Sequence, residues 1–404
     1  QCNPLPFKKV RKIIEKEYGI PLEEKFLAVF EKPIGSASIS QVHKGLLNNG
    51  GEVAIKIKRP NVDKRIEKDI KRIKRLIHLF GKFFKLNNLI GSDEALDLYL
   101  SWIREEVNFK SEKANILKYQ EFADTMNALE LTNKKLTLPA LYEELCTDRI
   151  IVMEFIKGKT VNRMADTLEN KKRINTSIND YIYVSFYALL HQMPLIFHGD
   201  LHMGNLYLDE DDNLGFLDMG LIFTLNESEE KFVLELFLYA YTCNIEKLFD
   251  VLLKESTVHG LQDLEKLKKE MEQCCEKFKE NTIPEFFCNM IGIFTKYNVC
   301  PPKVLFKLAK CFVPLFGMGN FLHNRENTEH LLKEQIIEYY IQKTTRDIKN
   351  TTIKAVSILP NFFIQAMKGN IAKGISQEIT TVEDCLNDMH TTFGHFKDLF
   401  KVMK

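Results

Sequence analysis

The chain has 404 residues, 45% of them hydrophobic and 27% charged, enough to bury a sizeable core and too apolar for a disordered or fibrous protein. At roughly 150 residues per domain, its length fits two or three units or one large two-lobed one. Fifty-six Lys and Arg against 55 Asp and Glu leave a net charge of +1, which excludes the cation excess of a dedicated nucleic-acid binder and points to a discrete site instead.

The chain opens on Gln1 and reads as a fragment whose start, with any targeting segment, lies upstream. Residues 36–47 and 52–57 are β-branched, partly alternating runs joined by Asn48-Asn49-Gly50-Gly51, which predicts a hairpin because Asn-Gly accepts positive φ. From 61 to 85, Ile66, Ile70, Ile73, Ile77, Phe80 and Phe84 recur every three or four residues and predict a helix. Its other side carries Lys64, Arg65, Lys68, Lys71, Arg72, Lys74, Arg75, Lys82 and Lys85. Such a face is either solvated or rests peripherally on an anionic membrane. A second helix is expected over 93–124 and a strand over 149–156, stopped by Gly158. Long helical patterns follow over 174–197, 227–253 and 261–279, with several more to Lys404; residues 206–217 interrupt them as a short hairpin through Asp209-Glu210-Asp211-Asp212-Asn213. The pattern is α+β: a small sheet-containing N-lobe over 1–156 and a large helical C-lobe over 157–404.

Residues 181–199 carry no formal charge and reach the length of a membrane span, but Ser185, His191, Gln192 and Pro194 interrupt them, so a buried helix is expected. The apolar segment 353–367 is broken by Lys354, Ser357, Pro360 and Asn361 and reads as core or a docking surface. Nine cysteines without a C-x-x-C spacing suit reduced thiols and a cytoplasmic protein, and supply no zinc-ligand spacing.

The sharpest cluster is His198-Gly199-Asp200-Leu201-His202-Met203-Gly204-Asn205, followed by Asp218-Met219-Gly220. Phosphoryl transfer needs a carboxylate at the acceptor, an amide oxygen on Mg²⁺ and a second carboxylate bridging Mg²⁺ to the phosphates. Asp200, Asn205 and Asp218 supply these at H-R-D-x-x-x-x-N and D-F-G spacing, although a polar loop and an Asp-Gly turn would read alike. His198 and His202 stand four apart, as in a helical zinc pair, but the glycines between and after them break a helix; His198 is expected to brace the loop. Upstream, Gly35-Ser36-Ala37-Ser38-Ile39-Ser40-Gln41-Val42 has the frame of a glycine-rich phosphate loop, with Ala37 and Ser40 in place of two glycines. Fourteen residues after Val42 stands Lys56, in Val53-Ala54-Ile55-Lys56, the frame of the V-A-I-K strand whose lysine reaches the α- and β-phosphates. Either Glu106 or Glu112 can hold that lysine; six positions apart, they do not share a helix face. No A-P-E element follows Asp218-Met219-Gly220, and Thr224 and Glu227 stand at capping-box spacing for the next helix, so peptide phosphorylation is not expected.

These residues resemble the UbiB-like (AarF-type, ubiquinone-biosynthesis) atypical kinase family, above all through Ser36-Ala37-Ser38-Ile39-Ser40-Gln41-Val42-His43 and Val53-Ala54-Ile55-Lys56-Ile57-Lys58-Arg59-Pro60. The resemblance implies a protein-kinase-like fold, ATP and Mg²⁺ as cofactors, ATPase or small-molecule phosphotransferase activity, and a link to isoprenoid quinone or lipid metabolism at membranes. Carried over by position, it makes Gly35, Ser36, Ala37 and Ser38 the nucleotide loop, with Val42, Ala54, Lys56, Glu154 and Ile156 as further nucleotide contacts. Asp200, Lys56 and Glu106 become the catalytic residues, with Asn205 and Asp218 the metal ligands. Gly35 stands where that family favours Ala, and Asn108 where it has the Asp of E-x-D. The family's N-terminal K-x-G-Q element would precede Gln1. His-Gly-Asp-Leu-His-x-Gly-Asn is also similar to the motif of aminoglycoside and choline kinases, which lack the Ser-Ala-Ser-Ile-Ser-Gln-Val-His run. A third alternative is an ATP-binding pseudokinase scaffold without chemistry.

Overall fold

The computed structural model describes residues 3–80, 93–191, 193–241, 243–258, 263–276 and 283–321. Lys82, Lys85, the segment 353–367 and the helices expected up to Lys404 lie outside these residues.

The chain begins with α1 (Phe7–Tyr18), which buries Val10 and Ile14, and α2 (Leu22–Lys25). Both pack on a sheet of β1 (Ala28–Val29), β2 (Gly35–Ser36), β3 (Ser40–Leu46), β4 (Glu52–Lys58) and the later β6 (Ile150–Glu154), in the order β1-β3-β4-β6 with β2 on β3. The expected hairpin is β3–β4, and Gly50 takes φ 83° in its turn, a conformation glycine adopts without a Cβ penalty. Its register sets Val42 opposite Lys56 and Ser40 opposite Lys58.

The helical pattern after Asn61 is α3 (Val62–Phe80), with Ile70 buried against Leu96 and Leu100. The single helix expected over 93–124 is two, α4 (Asp93–Glu106) and α5 (Phe109–Ala128). The break falls at Asn108, whose Oδ1 accepts from the Lys110 and Ser111 amides at 3.2 and 3.4 Å. Apolar periodicity runs through such a break, because a cap is one polar side chain and changes no spacing.

Beyond Glu154 come β7 (Lys159–Thr160), α6 (Val161–Met164) and α7 (Leu168–Leu190). The uncharged stretch 181–199 is not one helix: α7 ends at Leu190 and the chain turns into β8 (Ile196–His198), paired with β11 (Ile222–Thr224). No helix among the described residues is long and apolar enough to cross a membrane. The expected short hairpin is β9 (Leu206–Leu208) with β10 (Leu214–Phe216); they sit in a sheet ordered β5-β10-β9-β7, where β5 is Leu136–Thr137. The pattern over 227–253 is again two helices, α8 (Glu227–Tyr241) and α9 (Ile245–Lys254), separated by Cys243 at φ 53° and the cap Asn244. The capping box of α8 is Asn226 with Glu229, each accepting from the other's amide, rather than Thr224 with Glu227. Helices α10 (Leu264–Glu276), α11 (Ile283–Lys296) and α12 (Lys303–Phe321) follow in the larger lobe, whose core sets Phe237 edge-on to Phe186 and Phe312 and stacks Phe287 on Phe312.

Candidate active site

The site forms where β4, α5, β8 and the segment after β10 meet. Alternation along β4 points Ala54, Lys56 and Lys58 to one face. There Lys56 Nζ lies 2.5 Å from Glu112 Oε1 and 3.0 Å from Asp218 Oδ2. The lysine and Glu112 side chains are 8% and 1% exposed, whereas that of Asp218 is 40% exposed toward the cleft. Burial alone would lower the Lys56 pKa; the two carboxylates outweigh it and hold the ammonium firmly charged. Burial pushes Glu112 up to about 7, with Asp218 adding to the rise and Lys56 opposing it. For Asp218 burial raises the pKa, but Lys56 and the Gly220 amide win and bring it down to about 2. The charge of the trio therefore resides on Lys56 and Asp218, with Glu112 near its titration point at neutral pH.

His198 joins this trio to the catalytic-type loop. Its Nε2 donates to the Asp218 carbonyl at 2.6 Å and its Nδ1 accepts the Asp200 amide at 3.1 Å, so the partners fix the tautomer. Burial lowers its pKa, which keeps the ring neutral. With both ring nitrogens engaged, His198 is a brace, as expected, and has no lone pair for a metal shared with His202. Asn205 Nδ2 donates to the Asp200 carbonyl at 3.1 Å, which fixes its amide and leaves its oxygen as the free acceptor. An amide oxygen and a strongly ionised carboxylate form an oxygen donor set suited to Mg²⁺, so Asn205 and Asp218 fit the ion the sequence implied.

A Cβ at Gly199 would lie 2.7 Å from Leu221 and 3.0 Å from Phe223, so a side chain here, where many kinases carry Arg, would force those two side chains to shift. Met219 is held from α5 through its carbonyl by Asn115 Nδ2 at 2.9 Å. The loop of Gly35, Ser36, Ala37 and Ser38 turns back at Ala37, whose amide donates to the Ser40 carbonyl at 2.9 Å. A Cβ at Gly35 would meet only Val42 at 3.9 Å, ordinary contact, so this backbone accepts alanine as readily as glycine. Glu154 ends β6 exposed, accepting the Ala140 amide at 3.3 Å, and Ile156 follows half-buried where the chain leaves the sheet.

The structure thus brings Lys56, Asp218, Asp200 and Asn205 into one cluster. Of the two candidate glutamates it brings Glu112 to the lysine, not Glu106. The break at Asn108 ends the helix of Glu106, whose Oε1 instead meets Lys310 Nζ of α12 at 3.2 Å. Two further features carry no signal in the sequence: Phe109, whose ring lies 5.5 Å from the Lys56 ammonium and 5.7 Å from that of Lys58, and Asn115 on Met219. Both depend on where α5 begins.

Residues 1–252 match the ABC1 atypical kinase-like domain. The chain is 26% identical over 336 residues to the uncharacterized protein slr0889 of Synechocystis sp., which covers 78% of this chain and 79% of that protein. It is 27% identical over 323 residues to the probable protein kinase UbiB of Shewanella piezotolerans and 26% over 329 residues to that of Histophilus somni. It spans 57% and 59% of the length of those two relatives. Among solved structures, the Mycobacterium tuberculosis protein Rv3197, in complex with erythromycin, aligns with a TM-score of 0.53 and 21% identity over 82% of this chain and 83% of that one. The likeness is one of fold, the two-lobed α+β kinase-like arrangement.

Proposed function

Because the chain belongs to the ABC1 atypical kinase-like family, we propose that it is a Mg²⁺- and ATP-dependent atypical kinase or ATPase that acts on, or regulates the metabolism of, a small molecule or lipid such as an isoprenoid quinone. The observation that carries this is the single network from Lys56 through Asp218 and His198 to Asp200. In it Lys56 holds the α- and β-phosphates, Glu112 keeps that lysine aimed, and Asp200 orients the acceptor hydroxyl and takes its proton. Asn205 and Asp218 hold the magnesium, which, when bound, neutralises charge on the phosphates. Ala54, Glu154 and Ile156, with Val42 and the loop of Gly35, Ser36, Ala37 and Ser38, would line the nucleotide's site.

A small or lipid acceptor is favoured over a peptide because β11 and the Asn226 cap follow Gly220 at once and lead straight into α8, which leaves no length for a peptide platform. Contact with an anionic membrane is supported by α3. There Arg65, Lys68, Arg72 and Arg75 share an exposed face with Leu76 and Leu79, at 55% and 69% exposure, and the carboxylate beside it, Asp69, pairs with Arg72. Phosphate transfer from labelled ATP, offered a generic peptide library in parallel with lipid and quinone-precursor acceptors, tests the acceptor class. Turnover without peptide labelling is expected, and rapid labelling of the library would overturn it.

A further inference from the structure

The nucleotide loop is held by two guanidinium groups. Arg59 Nη2 donates to Ser36 Oγ at 2.8 Å and to the Asn3 carbonyl at 2.9 Å. Arg65, in the first turn of α3, donates through Nη2 to the Ser38 carbonyl at the loop's tip, at 2.9 Å. Every carboxylate in the first two turns of α3 is committed elsewhere: Asp63 to Lys58, Glu67 to Arg104 and Asp69 to Arg72. Arg65 forms no ion pair among the described residues, so a full positive charge rests on one neutral carbonyl oxygen.

Position along the cleft gives that charge a meaning. Val42 faces Lys56, Ser40 faces Lys58, and the tip lies beyond Ser40. At about 3.3 Å per residue Ser40 already stands roughly 7 Å further along than the level of the lysine, and the tip lies past it. That direction leads away from Glu154 and past the lysine that, in a V-A-I-K strand, reaches the α- and β-phosphates, which is the side on which a terminal phosphate would lie. On the kinase-type reading of this site, on which the inference rests, we propose that Arg65 is a γ-phosphate-binding residue. It exchanges the Ser38 carbonyl for the terminal phosphate of ATP and so distinguishes triphosphate from diphosphate. The exchange is downhill because a charge-assisted, bidentate guanidinium–phosphate contact is stronger than a single bond to a neutral carbonyl. It also frees the loop tip when the triphosphate arrives, joining α3 to the state of the nucleotide.

Titration calorimetry on the intact chain, with a non-hydrolysable ATP analogue and with ADP, both with Mg²⁺, tests this. Arg65→Ala should weaken the triphosphate about tenfold or more while ADP affinity stays within about twofold. Arg65→Lys should recover part of the loss, and Lys32→Ala, which removes an exposed charge from the same lobe, should change neither. Equal weakening of both nucleotides would mean that Arg65 only steadies the loop, and no weakening of either would mean that it does not reach the phosphate; each result overturns this inference alone. Failure of the unmodified chain to bind either nucleotide would overturn the kinase-type reading and this inference with it.

Discussion

Lys56 is the point at which three charges are balanced, and the balance is asymmetric: Asp218 is held ionised to about pH 2 while Glu112 titrates near 7. A carboxyl whose folded pKa lies above its unfolded value near 4.5 binds its proton more tightly in the folded state. Its contribution to stability is therefore complete below about pH 4.5 and is lost as the pH rises through about 7. Chemical denaturation of the nucleotide-free chain should show stability relative to Glu112→Gln falling between these limits; a flat difference would contradict the assignment. Glu112→Gln should also lower ATP turnover more than Glu106→Gln does, since only Glu112 touches the lysine; the reverse order would restore Glu106 to that role. At this scale the sequence displayed Lys56, Asp200, Asn205 and Asp218 through their spacing. The choice between the glutamates was hidden, because it depends on where α5 starts and not on any motif.

Elements were legible where one residue type forces the backbone, and illegible where a helix stops and restarts within two or three residues. Asn49-Gly50 announced the β3–β4 hairpin, whereas the breaks at Asn108 and Asn244 sit inside unbroken apolar patterns. Asn108→Ala removes the acceptor for two α5 amides and should cost about 1 kcal/mol, read as a lower denaturation midpoint. Gly215 makes a sharper case: a Cβ there would fall 1.9 Å from the ring of Tyr207, its partner across β9 and β10. Gly215→Ala should therefore destabilise the chain by about 1–3 kcal/mol, the usual effect of overpacking. An unchanged midpoint would show that the ring turns aside freely.

Across the whole molecule, α4 ties the small lobe to the large one beside the Asp218-Met219-Gly220 segment. Trp102 packs against Phe223 of β11 with centroids 5.0 Å apart, Glu106 meets Lys310 of α12, and the Glu106 backbone closes over Gly220. None of these contacts was legible, since they join positions up to 204 residues apart in sequence that no local pattern relates. The two-lobed order was legible, because the loop, lysine, acidic loop and D-x-G follow one another along the chain. The basic face of α3 should bind vesicles rich in anionic phospholipid, and salt should weaken that binding; equal flotation with neutral vesicles would count against it. The most direct test of the whole is Mg²⁺-dependent ATP turnover by the intact chain beside Asp200→Asn and Asp218→Asn. Convergence of these side chains on one nucleotide predicts turnover that needs Mg²⁺ and falls at least about 100-fold in either variant, whereas equal rates in all three proteins would contradict it.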